Sequence, residues 1–214
     1  YAFATASLRD IKDKDSLIEK LFMKTGITVD IISGTEEAMY DYTAISNAYK
    51  VNVGAAFDLG GGSCQLMYFE NGVLPECKSM PIGALRLYNE YVAKTLPDGE
   101  EYGNIKDAVI RQISDFAILK NHGNIPVFAM GGAACTVSMI HQRLSGEVKT
   151  EFSVDELRKM TELGEDTISK LVPKRLTTIV PALIVMITIC EYISVDKIIV
   201  TDVGVRDGVL AARI

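Results

Sequence analysis

The stretch Phe57-Asp58-Leu59-Gly60-Gly61-Gly62-Ser63 joins two segments with the alternating pattern of β-strands, residues 53–59 and 65–70. Three successive glycines remove every Cβ from this turn, so a phosphate group can approach the backbone N–H groups. Asp58 at the end of the first strand can hold a metal-bound water, and Ser63 can donate its hydroxyl. A tight glycine hairpin with a local turn bond from Asp58 is the alternative. The loop and its neighbours favour the phosphate interpretation.

The segments around this loop predict an α/β protein. Upstream, strands over residues 1–5 and 27–32 alternate with helices over 16–24 and 36–49. Downstream, Asn71-Gly72 is a strong two-residue hairpin signal between strands 65–70 and 73–79. Strands 53–59, 65–70 and 73–79 therefore form a predicted antiparallel meander.

The second half continues with helices over residues 84–92 and 105–119, separated by the turn-rich Pro97-Asp98-Gly99. A strand at 127–130 runs into Gly131-Gly132 and a helix over 133–141, an arrangement that can aim N–H groups at an anion. Ser153 and Glu156 predict a capping box for a helix through residue 163. A buried helix within 176–193, a strand at 197–201 and a last helix from 206 complete the pattern.

Composition limits the classes of function. The chain has 214 residues, 48% hydrophobic and 23% charged, with a net charge of -6, which argues against a general nucleic-acid surface. The four cysteines form no CxxC pair and have no histidine at ligand spacing, so we expect a reduced, cytoplasmic protein without structural zinc. The apolar run 176–193 is interrupted by Pro181 and diluted by threonines, and residue 1 opens into a strand. We therefore expect neither a membrane span nor a signal peptide.

Three further segments carry candidate functional residues. Ser33-Gly34-Thr35-Glu36-Glu37-Ala38 places two carboxylates in the first turn of a helix, where one can cap the helix and the other can face a cleft and deprotonate a water. Arg9 follows a strand end, where it can reach phosphate oxygens or pair with nearby aspartates. Cys64 beside the glycine loop is interpreted as a small buried residue, since it has no histidine partner.

Taken in order, these segments resemble the exopolyphosphatase / guanosine pentaphosphate phosphatase family. Six ordered motifs at family-like spacing carry the resemblance over nearly the whole chain. They are Ala4-Thr5-Ala6-Ser7-Leu8-Arg9, Ile32-Ser33-Gly34-Thr35-Glu36-Glu37-Ala38, Asp58-Leu59-Gly60-Gly61-Gly62-Ser63-Cys64-Gln65, Pro81-Ile82-Gly83-Ala84-Leu85-Arg86-Leu87, Gly131-Gly132-Ala133 and Val200-Thr201-Asp202-Val203-Gly204-Val205-Arg206-Asp207-Gly208.

The resemblance implies an actin-like (ribonuclease H-like) fold with a cleft between two domains. Residues 1–50 would be the remnant of the first domain and residues 51–214 the second. Glu37 would be the base that activates water, and Asp58 and Gln65 fall on the metal positions, for Mg²⁺ or alternatively Mn²⁺. The expected phosphate-binding residues are Arg9, Asp58, Gly60, Gly61, Gly62, Ser63, Gly131, Gly132 and Arg206.

The implied activity is hydrolysis of terminal phosphates from polyphosphate or guanosine pentaphosphate, with the oligomeric state left open and a homodimer as one option. Three departures from the family pattern matter. A first phosphate loop of the form D-x-G-S-N-S is expected before residue 1, Gln65 replaces a glutamate, and Thr177 replaces an aspartate. A weakly catalytic sensor of polyphosphate or guanosine tetra- and pentaphosphate is therefore an alternative. A kinase or chaperone-type ATPase is a third, against which Glu36-Glu37 argues.

Overall fold

The computed structural model describes residues 1–120 and 122–213. Its strands form one small and one large β-sheet. The strands are β1 (Ala2–Ala4), β2 (Val29–Ile31), β3 (Val53–Leu59), β4 (Cys64–Glu70), β5 (Val73–Met80), β6 (Val127–Met130), β7 (Glu151–Ser153) and β8 (Lys197–Val200). In the small sheet β1 pairs with β2 in parallel, and the large sheet has the order β5-β4-β3-β6-β8-β7.

Helices connect these strands and cover the large sheet. They are α1 (Ala6–Arg9), α2 (Lys14–Thr25), α3 (Gly34–Tyr49), α4 (Ala84–Tyr91), α5 (Gly99–Ile113), α6 (Gly131–Ser145), α7 (Val154–Thr161), α8 (Glu165–Leu171), α9 (Ile179–Ile193) and α10 (Val205–Ala211), with 3₁₀ turns at Ala117–Leu119 and Pro173–Arg175.

The large sheet contains the predicted meander. Strand β4 pairs antiparallel with both β3 and β5, and Asn71 and Gly72 adopt φ values of 53° and 81°, the left-handed geometry that a two-residue hairpin needs. Strands β6 and β8 then add in parallel beside β3, each reached through helices. Strand β7 pairs antiparallel with β8 at the far edge. Three antiparallel strands followed by the parallel strands β6 and β8 are the central part of the ribonuclease H-like, actin-like α/β fold.

Both faces of this sheet are covered by helices. Side chains alternate along β3, so the strand presents apolar residues to each face. Ala56 packs with Ala38 and Ile45 of α3 on one face. Phe57 points to the opposite face, into the cluster that contains α9. As predicted, α9 is buried on most sides: all of its residues except Glu191 and Tyr192 are buried. Within residues 1–120 and 122–213, none of the helices combines the length and apolar character needed to cross a membrane.

The predicted helix over residues 105–119 was wrong in its bounds. Helix α5 begins at Gly99, since the Asp98 side chain accepts hydrogen bonds from the N–H groups of Glu100 (3.0 Å) and Glu101 (2.9 Å) and so caps the helix. The helix ends at Ile113, and a separate 3₁₀ turn follows. The sequence pattern also missed the short elements α1, β7 and α8, and it started α6 two residues late.

The division of the chain into domains at residue 50 stays a prediction. In the structure α3, on the N-terminal side of that division, packs directly on the large sheet through Ala38 and Ile45. Helix α2 has no buried residue. Glu37, in the first turn of α3, is thereby brought beside the loop between β3 and β4.

Candidate active site

The glycine loop is fixed to the first turn of α4 through its carbonyl groups. The N–H of Ala84 donates to the Gly60 carbonyl, and those of Leu85 and Arg86 donate to the Gly61 carbonyl, all at 3.0 Å. These bonds satisfy the otherwise unpaired amides of the helix start. Because N–H and C=O point in opposite directions across a trans peptide, the N–H groups of these loop peptides point away from α4. These N–H groups belong to Gly61 and Gly62 and can meet an anion, whereas the Gly60 N–H already donates to the Ser63 carbonyl at 3.0 Å.

A cavity of about 620 Å³ lies beside this loop. Glu37 reaches it from α3, and the chain around the start of α1 closes another side. The lining residues are Thr5, Ala6, Ser7, Asp10, Glu37, Gly60, Gly61, Gly62, Ser63, Leu85, Arg86, Asn89 and Glu90. The predicted base, Glu37, and the predicted phosphate loop thus border the same cavity.

The carboxylate of Glu37 is held by two side chains from other elements. Its Oε2 accepts hydrogen bonds from Arg9 Nη1 at 3.3 Å and from Gln65 Nε2 at 3.1 Å, and Arg9 also donates to the Ile32 carbonyl at 3.1 Å. Glu37 is 6% exposed. Burial raises the pKa of Glu37, against the lowering influence of Arg9 and Thr5. A buried glutamate with a raised pKa is a stronger proton acceptor than an exposed one.

Gln65 links the carboxylate to both neighbouring loops. Its Nε2 lies 3.0 Å from Ser63 Oγ and 3.0 Å from Ser79 Oγ, in addition to Glu37. The amide has two hydrogens for these three acceptors. Ser79 lies opposite Gln65 in the β4–β5 register. Gln65 therefore lies at the predicted metal position, and its amide nitrogen points toward Glu37. An amide N–H group cannot bind a cation.

Asp58 lies at the end of β3 next to Gly131. Burial, followed by the charge of Glu37, raises the pKa of Asp58 to about 6. Gly131 adopts φ of 87°, and a Cβ at this position would overlap Asp58 Oδ1. The glycine predicted to bind phosphate thus also makes room for the predicted metal ligand.

The remaining predicted phosphate-binding residues lie elsewhere. Gly132 packs against the guanidinium of Arg175, and Arg206 is exposed at the start of α10. In the described part of the chain, the predicted phosphate-binding residues that do not line the cavity are Arg9, Asp58, Gly131, Gly132 and Arg206. Their roles stay predictions. Arg9 pairs with Glu37 in this structure, and its contact with phosphate stays a prediction.

Sequence reasoning missed Asp41, one turn after Glu37 on α3. Asp41 is 0% exposed, and burial, followed by the charges of Asp58 and Glu37, raises its pKa well above the ordinary range. The spacing of Glu37 and Asp41 could have indicated this, since residues four apart share one face of a helix. Nothing in the sequence showed that this face lies against Asp58.

Two finer expectations are confirmed. Ser33 Oγ accepts from the Glu36 N–H at 3.1 Å while Glu36 Oε2 accepts from the Ser33 N–H at 2.8 Å, so Glu36 caps α3 and leaves Glu37 to face the cavity.

Cys64 is fully buried, and burial raises the pKa of its thiol. A buried thiol with a raised pKa is a poor nucleophile.

Among residues 1–120 and 122–213, no group of three or more His, Cys, Asp or Glu side chains is arranged to hold a metal ion. The available donors near the glycine loop are carboxylate oxygens, which suit hard cations such as Mg²⁺. Asp58 is the predicted ligand that the structure leaves beside the loop.

Comparisons with known proteins find relatives that are named as phosphatases. Over 220 residues the chain is 26% identical to a bifunctional 3-dehydroquinate synthase/phosphatase of Fusobacterium nucleatum, covering 94% of this chain and 32% of that protein. It is 22% identical over 233 residues to exopolyphosphatase 1 of Mycobacterium leprae, covering all of this chain and 67% of that one. The chain thus spans about a third of the first relative and two thirds of the second.

Solved structures show the same fold. An exopolyphosphatase from Cytophaga hutchinsonii superposes with a TM-score of 0.87 at 17% identity, over 99% of this chain and 73% of that one. A Ppx-GppA enzyme of Aquifex aeolicus gives a TM-score of 0.83 at 22% identity, over 99% and 74%. The family model for Ppx/GppA phosphatases matches residues 1–214. The chain belongs to the Ppx/GppA phosphatase family.

Proposed function

We propose that this chain carries the catalytic site of a phosphatase that hydrolyses the terminal phosphoanhydride bond of inorganic polyphosphate or of guanosine pentaphosphate. Membership of the phosphatase family and likeness to exopolyphosphatases support the reaction class. The observation that carries the proposal is the position of Glu37, a buried carboxylate with a raised pKa that borders the same cavity as the glycine loop.

The proposed reaction uses the residues around that cavity in separate roles. The N–H groups of Gly61 and Gly62 and the Ser63 hydroxyl bind oxygens of the terminal phosphate. Glu37 takes a proton from a water as the water oxygen attacks the terminal phosphorus. The anhydride P–O bond breaks, and the shortened chain leaves with its negative charge on oxygen. Positioning and charge neutralisation are the main contributions to such a transfer.

Arg9 has two functions in this arrangement. In the structure it donates to Glu37 and to the Ile32 carbonyl, which fixes the carboxylate. When a phosphate enters, the guanidinium can also meet its oxygens, because it has five N–H donors. A divalent ion bound at Asp58 would supply further positive charge to the phosphate oxygens.

The experiment that tests the proposal is a measurement of orthophosphate release. The protein is incubated separately with polyphosphate and with guanosine pentaphosphate, with Mg²⁺ and with a chelator. We expect release from at least one of them, dependent on Mg²⁺, and its loss in Glu37→Gln. Absence of release from both compounds would overturn the proposal. The ratio of kcat/KM values then identifies the preferred substrate.

A sensor that binds the same compounds without rapid hydrolysis is the second candidate. Gln65 favours it, because this position has an amide where the family pattern has a carboxylate. The two candidate functions differ in how fast phosphate is released relative to how tightly the compound is bound. A sensor binds guanosine tetraphosphate or polyphosphate tightly while release stays near background, whereas an enzyme turns over many times per site.

We place the protein in the cytoplasm. Its four cysteines are free thiols, which fits a reducing compartment. Its net charge of -6 makes nucleic acid an unfavourable partner. Fractionation of cells that produce the protein, followed by detection of the chain in each fraction, tests the location.

A further inference from the structure

Asp41 is a carboxylate in the protein interior for which the proposed reaction has no role. Its side chain is 0% exposed, and among the described residues neither of its carboxylate oxygens has a hydrogen-bond partner. Burial of an unpaired carboxylate is strongly unfavourable. Such a group is neutralised either by a proton or by a cation.

The face of α3 that carries Asp41 packs against the large sheet. Asp41 follows Glu37 by one helical turn, between Ala38 and Ile45. Ala38 and Ile45 contact the sheet in the cluster that includes Ala56. Asp41 therefore lies between the helix and the sheet.

The sheet presents Asp58 to the same space. Ala56 faces α3, and Asp58, two residues later on β3, faces the same side because side chains alternate along a strand. Gln65 is opposite Asp58 in the β3–β4 register. The negative charge of Asp58 raises the pKa of Asp41 further beyond what burial does, which agrees with their closeness.

We propose that Asp41 and Asp58 together hold the divalent cation of this site, with Asp41 supplying the carboxylate that position 65 lacks. The inference rests on the proposed phosphatase function for the kind of ion, a hard divalent cation. Mg²⁺ is commonly held by one or two carboxylates, with waters and substrate phosphates as the other ligands. A pair of carboxylates is therefore sufficient without a third acidic ligand.

Mn²⁺ binding to the protein without substrate tests the proposal. The free Mn²⁺ signal in electron paramagnetic resonance is followed during titration of the wild type, Asp41→Asn, Asp58→Asn and the control Asp107→Asn. Asp107 is exposed on α5, so this control makes the same chemical change away from the site. We expect the Mn²⁺ affinity to be at least about tenfold lower in Asp41→Asn and in Asp58→Asn. In Asp107→Asn it should be unchanged. Wild-type affinity in Asp41→Asn overturns the proposal.

A second measurement uses the wild-type protein and so does not depend on how a variant folds. The carboxyl carbon signals of Asp41 and Asp58 are followed by NMR during titration with Mg²⁺. Movement of both signals with one midpoint supports the shared site, and a fixed Asp41 signal while Asp58 moves overturns it. Neither readout involves hydrolysis. A chain that binds the ion through Asp41 but releases no phosphate contradicts the proposed function and leaves this inference intact.

Discussion

The side-chain amide of Gln65 donates a hydrogen bond to the carboxylate of Glu37 over 3.1 Å, although the two residues are 28 positions apart. The bond joins strand β4 to the first turn of α3. It holds Glu37 at the cavity, and Arg9 donates to the same Oε2. An amide at position 65 thus stabilises the carboxylate that we propose as the base.

Gln65→Glu would replace this hydrogen bond with two facing carboxylates. Without divalent ions we expect a loss of stability of about 1.5–3 kcal/mol or more, since a hydrogen bond to a charged group is lost and like charges are added. Mg²⁺ should offset most of the loss and bind about tenfold more tightly, as one well-placed charge contributes about 1–2 kcal/mol. Thermal unfolding with a chelator and with Mg²⁺ measures both effects.

The control for this variant is Gln142→Glu, the same change at an exposed position of α6. It should leave the melting temperature within about 1–2 °C under both conditions. If Gln65→Glu behaves like Gln142→Glu, the Gln65–Glu37 bond does not contribute to the site.

Glu37→Gln tests the base. We expect kcat for phosphate release to fall by a factor on the order of 10²–10⁴ with substrate affinity changed only a few fold, since glutamine cannot accept the proton. Glu36→Gln is the matched control, because glutamine also serves at that place in a capping box. Equal losses of kcat in both variants would show that Glu37 acts only in starting the helix.

Gly131→Ala tests the contact between Gly131 and Asp58. Gly131 and Gly146 have similar φ values, 87° and 80°, so alanine costs about 1–2 kcal/mol of backbone strain at each. Only at Gly131 does the new Cβ overlap Asp58, whereas nothing lies within 4 Å of it at Gly146. We therefore expect a larger loss of stability in Gly131→Ala, together with a loss of phosphate release that Gly146→Ala does not show.

Urea unfolding and the phosphate release assay measure this pair of variants. Equal losses of stability in both variants with undiminished release in Gly131→Ala would show that Asp58 tolerates displacement. In that case Asp58 is not the group that the reaction needs in place.

Asp41→Asn should change how stability depends on pH when divalent ions are removed. Burial raises the pKa of Asp41 above its ordinary 3.8, so above that pH the folded chain binds more protons than the unfolded chain. Stability contributed by this group therefore falls as pH rises. Asparagine removes the effect, and we expect its advantage over the wild type to be small near pH 4 and about 1–3 kcal/mol near neutral pH.

Urea unfolding of both proteins in chelator across this pH range gives the comparison. Asp107→Asn again serves as the exposed control and should follow the wild type at every pH. A constant difference between Asp41→Asn and the wild type would mean that Asp41 keeps its ordinary pKa in the folded protein.

Much of this molecule is determined locally, and the sequence was sufficient for that part. The meander follows from alternating side chains and from the Asn71-Gly72 turn, and the start of α3 follows from the Ser33–Glu36 capping box. These features depend on residues within a few positions of one another. Three glycines in a row similarly determine that the β3–β4 loop can lie close to an anion. Local signals were weaker for α5, whose N-cap Asp98 resembles a turn residue in sequence.

Only the tertiary structure decided which side chains meet across these elements. The packing of α3 on the β3–β4 face brings Glu37 to Gln65 and buries Asp41 on the side of Asp58. The parallel pairing of β3 with β6 places Gly131 against Asp58. Arg206 lies exposed on α10, a position that the motif alone did not reveal. The physical reason is that sequence spacing fixes the face of a helix or strand on which a residue lies. What that face packs against is set by burial of apolar surface over the whole chain.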